Sequence, residues 1–313
     1  MSVTEQKKYV IGVDGGGTKT HAILVAPDGT VLAEATGGPT NLQTIGIAKS
    51  AQTLIDLILE CCTAAQVDAP TLQSVVLGLA GAGRPASRTE ISDKLIALSN
   101  KKKFPIKHIT VETDARIALE AAFAGGPGIA LIAGTGSIAL YHTEDGKYLR
   151  SGGWGNILGD EGSGYAIGRD GLMAALRQFD GRGEKTILTK KAMDHFGLTA
   201  VDDLIPKVYQ EHADVSSFAP LVFEAAFERD RLAHLLLVKN AADLADHVRT
   251  LTMLSRPKHK LPVSLMGGLL ATENVYSKLV KEKIVASLPQ VLVLKPKFPA
   301  AFGAAILGLN AFR

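Results

Sequence analysis

A glycine-rich turn between two strand-like segments is the feature that most constrains how this chain folds. Residues 10–14 form an apolar run that ends in an acid, and Gly15, Gly16 and Gly17 follow directly. Residues 20–26 form a second strand-like run, so the turn joins two antiparallel strands and does not open a helix. Neither the P-loop spacing nor the dinucleotide-binding spacing fits this segment. Taken alone, it is explained equally well by a phosphate-binding nest of N–H groups or by an ordinary tight turn.

The same pattern recurs in the second half of the chain. Residues 129–133 form an apolar strand that runs into Gly134, Thr135 and Gly136, and residues 138–143 form the next strand. A repeated strand–turn–strand unit indicates an internal duplication. Two such turns, one in each of two domains, would suit a polyphosphate ligand.

Composition sets the broad class of protein. The chain has 313 residues, of which 46% are hydrophobic and 5% aromatic, and its net charge is +3. That length accommodates two domains, and the mild charge and few aromatic residues argue against a nucleic-acid partner. No signal peptide or membrane-spanning apolar run is present. The adjacent Cys61 and Cys62 suit a reducing compartment, so we expect a cytoplasmic protein. We also expect no membrane partner, and a homodimer.

Alternating strands and helices predict an α/β protein. The first half has the order strand, strand, strand, helix, strand, helix, strand, helix. Its second helix is predicted over residues 87–99, where Ser87 and Glu90 form a capping box. Its third helix starts at Thr113 or Asp114.

The second half begins in the same way and then diverges. A helical insertion is predicted at about 180–254, and a strand over 261–266 leads into Gly267 and Gly268. The final helix is rich in small residues, which favour close packing against the helix that follows Asp114. We therefore predict an N-terminal domain over 1–116, a C-terminal domain over 117–298, and a last helix over 299–313 that packs near their junction.

Several of these segments together resemble a known family. Residues 14–20, 133–137 and 266–268 resemble the two phosphate motifs and the adenosine motif of the actin-like ATPase and sugar kinase superfamily. Residues 152–155 and 159–163 are similar to the N-acetylglucosamine kinases of the BadF/BadG/BcrA/BcrD ATPase family. The resemblance covers nearly the whole chain. It implies a duplicated actin-like (ribonuclease H-like) ATPase fold with two domains and a helical insertion in the second.

The resemblance also implies an activity. The family's two-domain kinases close on ATP–Mg²⁺ and a hexosamine, here N-acetylglucosamine phosphorylated on its 6-hydroxyl, with Asp114 in the position of the catalytic base. An acid at a strand-to-helix corner is physically suited to take a proton from a sugar hydroxyl. The alternative is that Asp114 only caps its helix.

The cofactor residues follow from the same resemblance. Asp14 would lie beside magnesium, which keeps much of its water. Alternatively, Asp14 caps the turn, Lys19 is a solvated residue, and the glycine pair at 267–268 begins a helix. The residues implied in binding ATP are Asp14, Gly15, Gly16, Gly17, Thr18, Lys19, Gly134, Thr135, Gly136, Gly267 and Gly268.

The sugar site is also implied by resemblance. Asn and Asp supply the donors and acceptors that carbohydrate hydroxyls need. Asn41 is alternatively a turn residue, and Trp154 either shapes the pocket or fills the core. The residues implied in binding sugar are Asn41, Gly81, Gly153, Trp154 and Asp160.

Three other functions compete with this one. Within the same fold, the acceptor is glucosamine or a broader range of hexoses, with Glu161 as the acid that a free amine would need. A dehydratase-activating ATPase would carry cysteines for an iron–sulfur cluster, whereas Cys61 and Cys62 lie on a predicted amphipathic helix. A sugar-sensing regulator would need a DNA-binding segment, for which residues 1–8 leave no room.

Overall fold

The computed structural model describes residues 8–255, 257 and 259–311. These residues form two compact units. Unit 1 lies within Met1–Pro127 and Lys295–Arg313, and unit 2 is Gly128–Leu294.

Unit 1 is built on a five-stranded mixed sheet with the strand order β3-β2-β1-β4-β5. Strands β1, β4 and β5 are parallel, and β2 runs antiparallel to both of its neighbours. The strands are β1 (Tyr9–Gly15), β2 (Thr20–Val25), β3 (Val31–Gly37), β4 (Leu72–Leu79) and β5 (Ile109–Thr113). The helices of unit 1 are α1 (Ile47–Ala64), α2 (Pro85–Lys101), α3 (Asp114–Phe123) and α10 (Ala300–Asn310), the last helix of the chain, and a 3₁₀ turn covers Ala69–Thr71.

Helices cover both faces of this sheet. On one face α1 and α2 bury a core with β1, β4 and β5 that includes Ile11, Leu54 and Leu77. Both cysteines of α1 belong to that core, being 0% and 2% exposed. On the other face α3 and α10 pack over Val10 and Val76.

Unit 2 repeats this sheet. Its strand order is β10-β9-β6-β7-β8, in which β6 is antiparallel to β7 and parallel to β9. The strands are β6 (Gly128–Ala133), β7 (Ser137–His142), β8 (Tyr148–Gly152), β9 (Leu261–Met266) and β10 (Val291–Leu294). Strands β6 to β10 therefore correspond in order and direction to β1 to β5, which confirms the predicted α/β duplication.

The helices of unit 2 include the predicted insertion. Five helices lie between β8 and β9. The last four of these form the insertion and contribute to a large apolar core. The helices of unit 2 are α4 (Gly164–Phe179), α5 (Leu188–Phe196), α6 (Leu204–Tyr209), α7 (Ala219–Phe227), α8 (Arg231–Ser255) and, after β9, α9 (Val275–Ser287). 3₁₀ turns cover Val201–Asp203 and Val215–Phe218. Within the described part of the chain, no helix has both the length and the apolar character needed to cross a membrane.

Two details differ from the sequence prediction. Helix α2 begins at Pro85 with Arg84 as its N-cap, so the predicted Ser87–Glu90 capping box is wrong. Proline is pre-organised for the first helical position, and it sets the start two residues earlier. Unit 1 also extends to Pro127, past the predicted boundary at 116, because all of α3 packs within it.

Helices α3 and α10 approach each other closely, as their small residues predict. A Cβ atom placed on Gly303 of α10 would lie 1.9 Å from the Ile117 carbonyl oxygen and 2.6 Å from the Ala121 nitrogen. Helix α10 also lies against β1, where a Cβ on Gly12 would meet the Ala301 carbonyl oxygen at 2.2 Å. These backbone contacts leave no space for side chains.

Gly303→Ala is therefore expected to lower the stability of unit 1 by about 1–3 kcal/mol, because backbone atoms must move to admit a methyl group. Thermal unfolding monitored by circular dichroism would measure this. Gly83→Ala is the matched control, since a Cβ there has no neighbour within 4 Å. An unchanged melting temperature for Gly303→Ala would contradict the packing described.

Candidate active site

The turn after β1 presents exposed backbone. The Gly16 N–H donates to the Lys19 carbonyl oxygen at 3.0 Å and closes a tight loop. At its tip, Gly17, Thr18 and Lys19 are exposed. Among the described residues, the Gly17 and Thr18 N–H groups have no protein acceptor. Unused N–H groups at one turn form a site suited to an anion.

A second turn is held directly against the first. A Cβ on Gly15 would lie 2.2 Å from Thr40 Oγ1, so only glycine fits there. Buried Thr20 donates from its hydroxyl to the Gly38 carbonyl oxygen at 2.7 Å and lies 2.9 Å from Thr40 Oγ1. The glycine turn and the segment leading to Asn41 are thereby held in one arrangement.

Asn41 and Gly81, two of the residues that the sequence implies in sugar binding, are neighbours in unit 1. Asn41 Oδ1 accepts the Gln43 N–H at 2.9 Å, so Asn41 does form a turn. Its Nδ2 amide makes no hydrogen bond within the described residues and is available to a ligand. Gly81 has φ +82°, and a Cβ there would lie 2.9 Å from Asn41 Oδ1.

Asp14 and Asp114 lie at the carboxyl edge of the unit 1 sheet. Asp14 pairs with Gly78 of β4, which pairs with Glu112 of β5, and Asp114 comes two residues later. Burial raises the pKa of Asp14, and the negative charge of Asp114 raises it further, against the opposing charges of His21 and Lys19. Asp114 is accessible to solvent, yet the protein around it removes part of its water, and this partial burial raises its pKa.

The structure assigns the cap of α3 to Thr113. Its Oγ1 accepts the Arg116 N–H at 3.1 Å, which is the N-cap hydrogen bond. Asp114 is the first helical residue; its Oδ1 accepts the neighbouring Ala115 N–H at 2.8 Å, and its carboxylate also contacts its own backbone N–H. The N-cap hydrogen bond of α3 is therefore made by Thr113, and the Asp114 side chain stays accessible to a ligand.

The corresponding turn in unit 2 adjoins the start of a helix. The Gly134 N–H donates to the Gly136 carbonyl oxygen at 2.9 Å. The Gly134 and Thr135 carbonyl oxygens accept the first two N–H groups of α4, at 2.8 and 3.1 Å. Among the described residues, the Thr135 and Gly136 N–H groups remain without a backbone acceptor.

The Gly267–Gly268 pair lies beside this turn. Gly267 has φ +85°, and a Cβ there would lie 2.4 Å from the Ala133 carbonyl oxygen. The Gly268 nitrogen lies 3.8 Å from where a Cβ on Gly134 would be. The alternative that the pair begins a helix is not supported, because α9 starts only at Val275.

A recess of about 770 Å³ opens beside Gly268, and its size suits a nucleoside. Its walls come from α7, α8 and the segment between β9 and α9. They are mainly apolar, with a few polar groups at the edge. The lining residues include Phe223, Phe227, Leu237, Leu269, Asn274 and Gly268.

The segment 153–160 connects β8 to the region before α4. Trp154 is 65% exposed, so of its two alternatives the core position is excluded. The Arg150 guanidinium lies over its ring, 4.1 Å from the centroid, in a cation–π contact. Gly153 has φ +70° and packs against Ile138.

Asp160 ends this segment in an uncommon backbone conformation. Its φ is +58°, a value that costs free energy in a residue with a Cβ. Its carboxylate accepts the N–H groups of Ser137 and Gly155, while burial raises its pKa. A Cβ on Gly136 would lie 2.7 Å from Asp160 Oδ2, so the unit 2 glycine turn and Asp160 are in contact.

Sequence reasoning missed three groups that shape these sites. Thr40 looked like part of a loop, although it packs on Gly15. Phe223, half-buried, and Phe227, exposed, are four residues apart on one helix face, and that spacing could have been noticed as an aromatic pair. His247, far away in sequence, approaches Glu161 and Ser151 and carried no local signal.

The Asp14 donor set is compatible with magnesium. Its half-buried carboxylate accepts no hydrogen bond within the described residues, and the adjacent Asp114 charge would favour a cation. No group of three or more metal-ligating side chains occurs there. Magnesium bound with a nucleotide needs only one or two carboxylates, since phosphate and water fill the other positions.

The two duplicated units, each with a glycine turn at the edge of a mixed sheet, define an actin-like ATPase fold. The chain belongs to the BadF/BadG/BcrA/BcrD ATPase family, whose model matches residues 11–308. The family model does not by itself specify the acceptor.

Two curated relatives and one solved structure refine this placement. An N-acetylmuramic acid/N-acetylglucosamine kinase from Clostridium acetobutylicum is 34% identical over 96% of this chain and 98% of its own length. Glucosamine kinase GspK from Vibrio cholerae is 30% identical over 75% of this chain and 78% of its own length. The crystal structure of a candidate N-acetylglucosamine kinase from Chromobacterium violaceum superposes with a TM-score of 0.74 and 31% identity, covering 96% of this chain and 99% of that one.

The raised pKa values of Asp14 and Asp114 lead to a stability prediction. A carboxyl group whose pKa is raised by folding binds protons more readily in the folded state, so it destabilises that state once ionised. Asp14→Asn and Asp114→Asn should therefore raise the melting temperature at pH 7. The gain should shrink as the pH falls through the raised folded-state pKa and approach zero only below the ordinary aspartate value of 3.8, where wild type is protonated in both states.

Melting temperatures measured from pH 4 to pH 8 would test this. Asp93→Asn is the matched control, because Asp93 is an exposed acid on α2 of the same unit. A lower melting temperature for both active-site variants at pH 7 would show that the two carboxylates stabilise the fold.

Proposed function

We propose that the protein is an ATP-dependent kinase that transfers the γ-phosphoryl group to the 6-hydroxyl of N-acetylglucosamine. The observation that carries the proposal is the accessible carboxylate of Asp114 near Asp14, at a helix start that Thr113 already caps. The amino-sugar kinases among its relatives support the same reaction class.

The nucleotide is assigned to the glycine turns and the recess. Backbone N–H groups of Gly17, Thr18, Thr135 and Gly136 would bind phosphate oxygens, which suits transfer chemistry dominated by electrostatics. The apolar recess beside Gly268 would take the adenosine. Magnesium, when bound near Asp14, would neutralise charge on the phosphates.

Asp114 acts in this proposal as the general base. Its carboxylate accepts the proton of the sugar 6-hydroxyl while that oxygen forms a bond to the γ-phosphorus. The bond between the γ-phosphorus and the β–γ bridging oxygen breaks, and ADP leaves. A raised pKa makes Asp114 a stronger proton acceptor than an ordinary aspartate, which favours this role.

Two contacts favour an acetamido sugar over glucosamine. A free amine would need an acid, but Glu161 Oε2, which lies 3.6 Å from His247 Nε2, would then have to accept from both groups. The Arg150 guanidinium on Trp154 places a positive charge where it would repel an ammonium group. A neutral acetamido group needs no acid and is not repelled by the guanidinium, and Gly155, where a Cβ would have no neighbour within 4 Å, leaves space for it.

N-acetylmuramic acid is a second candidate acceptor. Arg150 stacks on Trp154 and forms no ion pair with any described carboxylate. An unpaired guanidinium suits a sugar that carries a carboxylate substituent. The Clostridium acetobutylicum relative, whose name includes N-acetylmuramic acid, supports testing this sugar.

The dehydratase-activating alternative is disfavoured by the cysteines. Both thiols are buried in the core of unit 1, and burial raises the pKa of Cys61 to about 11 and that of Cys62 to about 12. Iron–sulfur clusters are bound by thiolates, which these environments oppose.

The proposed function is tested by ADP formation with a panel of N-acetylglucosamine, glucosamine, glucose and N-acetylmuramic acid. N-acetylglucosamine should give the highest kcat/KM, and glucosamine and glucose should be at least about tenfold lower. An equal kcat/KM for glucosamine would reject the acetamido assignment while leaving the kinase assignment intact. No activity with any sugar would reject both.

Arg150→Met separates the two N-acetylated sugars. It should lower kcat/KM for N-acetylmuramic acid by about fivefold, as expected for an exposed ion pair, and leave N-acetylglucosamine nearly unchanged. Lys147→Met, on the exposed turn before β8, is the control for a simple loss of positive charge. Equal effects on both sugars would remove Arg150 from a role in recognising a carboxylate.

Asp114→Asn should lower kcat by about 10²–10⁴-fold, the usual contribution of general base catalysis. Binding of ATP and sugar, measured by calorimetry, should be retained because the amide keeps the size and the Ala115 hydrogen bond. Asp93→Asn serves again as the control. Activity of Asp114→Asn within a few-fold of wild type would exclude the base assignment.

A further inference from the structure

Helix α8 of the insertion reaches the segment that is proposed to bind sugar. Its His247 is 8% exposed and packs directly on Gly152, where a Cβ would lie 2.9 Å from the His247 Cε1 atom. The imidazole ring therefore occupies the space where any other residue at 152 would place its side chain. Gly152, with φ +76°, is the last residue of β8, immediately before the segment 153–160.

The two ring nitrogens of His247 face opposite ends of that segment. Nδ1 lies 2.9 Å from the Ser151 hydroxyl oxygen, on the β8 side. Nε2 lies 3.6 Å from Glu161 Oε2, on the side that follows Asp160. One side chain from a distant helix thus lies between the two ends of the segment.

The hydrogen bonding of this ring is incomplete. Nε2 is buried and has no hydrogen-bond partner within the described residues. The distance to Glu161 is slightly too long for a hydrogen bond, and a small movement of the carboxylate would complete one. Such a bond requires a proton on Nε2, so Nδ1 then accepts the hydroxyl proton of Ser151.

Neighbouring contacts show that α8 supports this region at more than one point. A Cβ on Gly162 would lie 2.5 Å from the Asn240 carbonyl oxygen of α8. The Ser137 hydroxyl donates to the Glu161 carbonyl oxygen at 2.8 Å, which fixes the Glu161 backbone. The strained Asp160 backbone immediately precedes these supports, and such conformations persist only when their surroundings determine them.

From this geometry we propose that His247 is a positioning residue for sugar binding. Through Ser151 and Glu161 it fixes the two ends of the segment 153–160, and thereby the orientation of Asp160 toward the sugar. The inference rests on the proposed sugar kinase function. When Asp160 binds a sugar, Glu161 moves the remaining distance and accepts the Nε2 hydrogen bond.

The test compares His247→Leu with His247→Gln. Leucine fills much of the ring volume but removes both polar contacts, whereas glutamine keeps an N–H donor near the position of Nε2. His247→Leu should raise KM for N-acetylglucosamine about fivefold to tenfold, the effect of one lost hydrogen bond, with kcat and KM for ATP nearly unchanged. His247→Gln should recover most of the loss.

Glu161→Gln and the double variant His247→Leu/Glu161→Gln complete a mutant cycle. Because both residues act through one contact, their effects on sugar KM should be less than additive. His195→Leu is the matched control, since His195 also contacts a serine hydroxyl, Ser217 at 2.8 Å, on the surface of the insertion. Its sugar KM should equal that of wild type.

Thermal melting of each variant separates positioning from loss of fold. If His247→Leu does not fold, Ser151→Ala and His247→Gln still test the proposal, because each changes one contact of the ring. Parallel increases in KM for sugar and ATP, or a glutamine variant no better than leucine at equal melting temperature, would overturn it. Wild-type protein without sugar kinase activity would instead reject the proposed function, and with it the basis of this inference.

Discussion

Close contact between backbone segments at the ends of the strands is the constraint on which the candidate site depends. Gly15 admits Thr40, and Gly267 admits the Ala133 carbonyl oxygen, at distances where a Cβ atom would overlap its neighbour. Each contact brings a turn against the strand edge. Within the described part of the chain, the Gly17 and Thr18 N–H groups of the first turn have no backbone acceptor. Any larger side chain would separate the segments and remove the surface that can hold phosphate.

Electrostatics at the same edge oppose folding stability. Burial raises the pKa of both Asp14 and Asp114, and the negative charge of Asp114 raises the pKa of Asp14 further. An arrangement of this kind is unfavourable by itself and is relieved by a cation or by a proton. Perturbed acids of this type occur more often at functional sites than at purely structural ones, although structural networks also produce them. The absence of a capping role for Asp114 makes the structural explanation weaker here.

The sequence was sufficient to predict the α/β class, the duplication and the helical insertion, because those depend on local periodicity and turn residues. It failed where two local signals competed. Ser87 and Glu90 have capping-box spacing, but Pro85 sets the start of α2. Trp154 could not be placed, since an aromatic residue among glycines is compatible with either a core or a surface position. The roles of Thr113 and Asp114 also required the structure, because both residues are good N-caps and only the hydrogen bond to Arg116 distinguishes them.

The differences between the two units indicate where substrate specificity arises. Both units supply a glycine turn from the shared sheet, so the features that we propose bind phosphate come from the duplicated part of the chain. The apolar recess and His247 instead come from the insertion helices α7 and α8, which unit 1 lacks. The segment 153–160 follows β8 of the shared sheet. His247 of α8 contacts the residues at both of its ends, Ser151 before it and Glu161 after it. A change in the insertion can therefore alter recognition of nucleoside and sugar without disturbing the strand edges that position Asp14 and Asp114. Relatives that share this fold and differ in acceptor are consistent with such a division of roles.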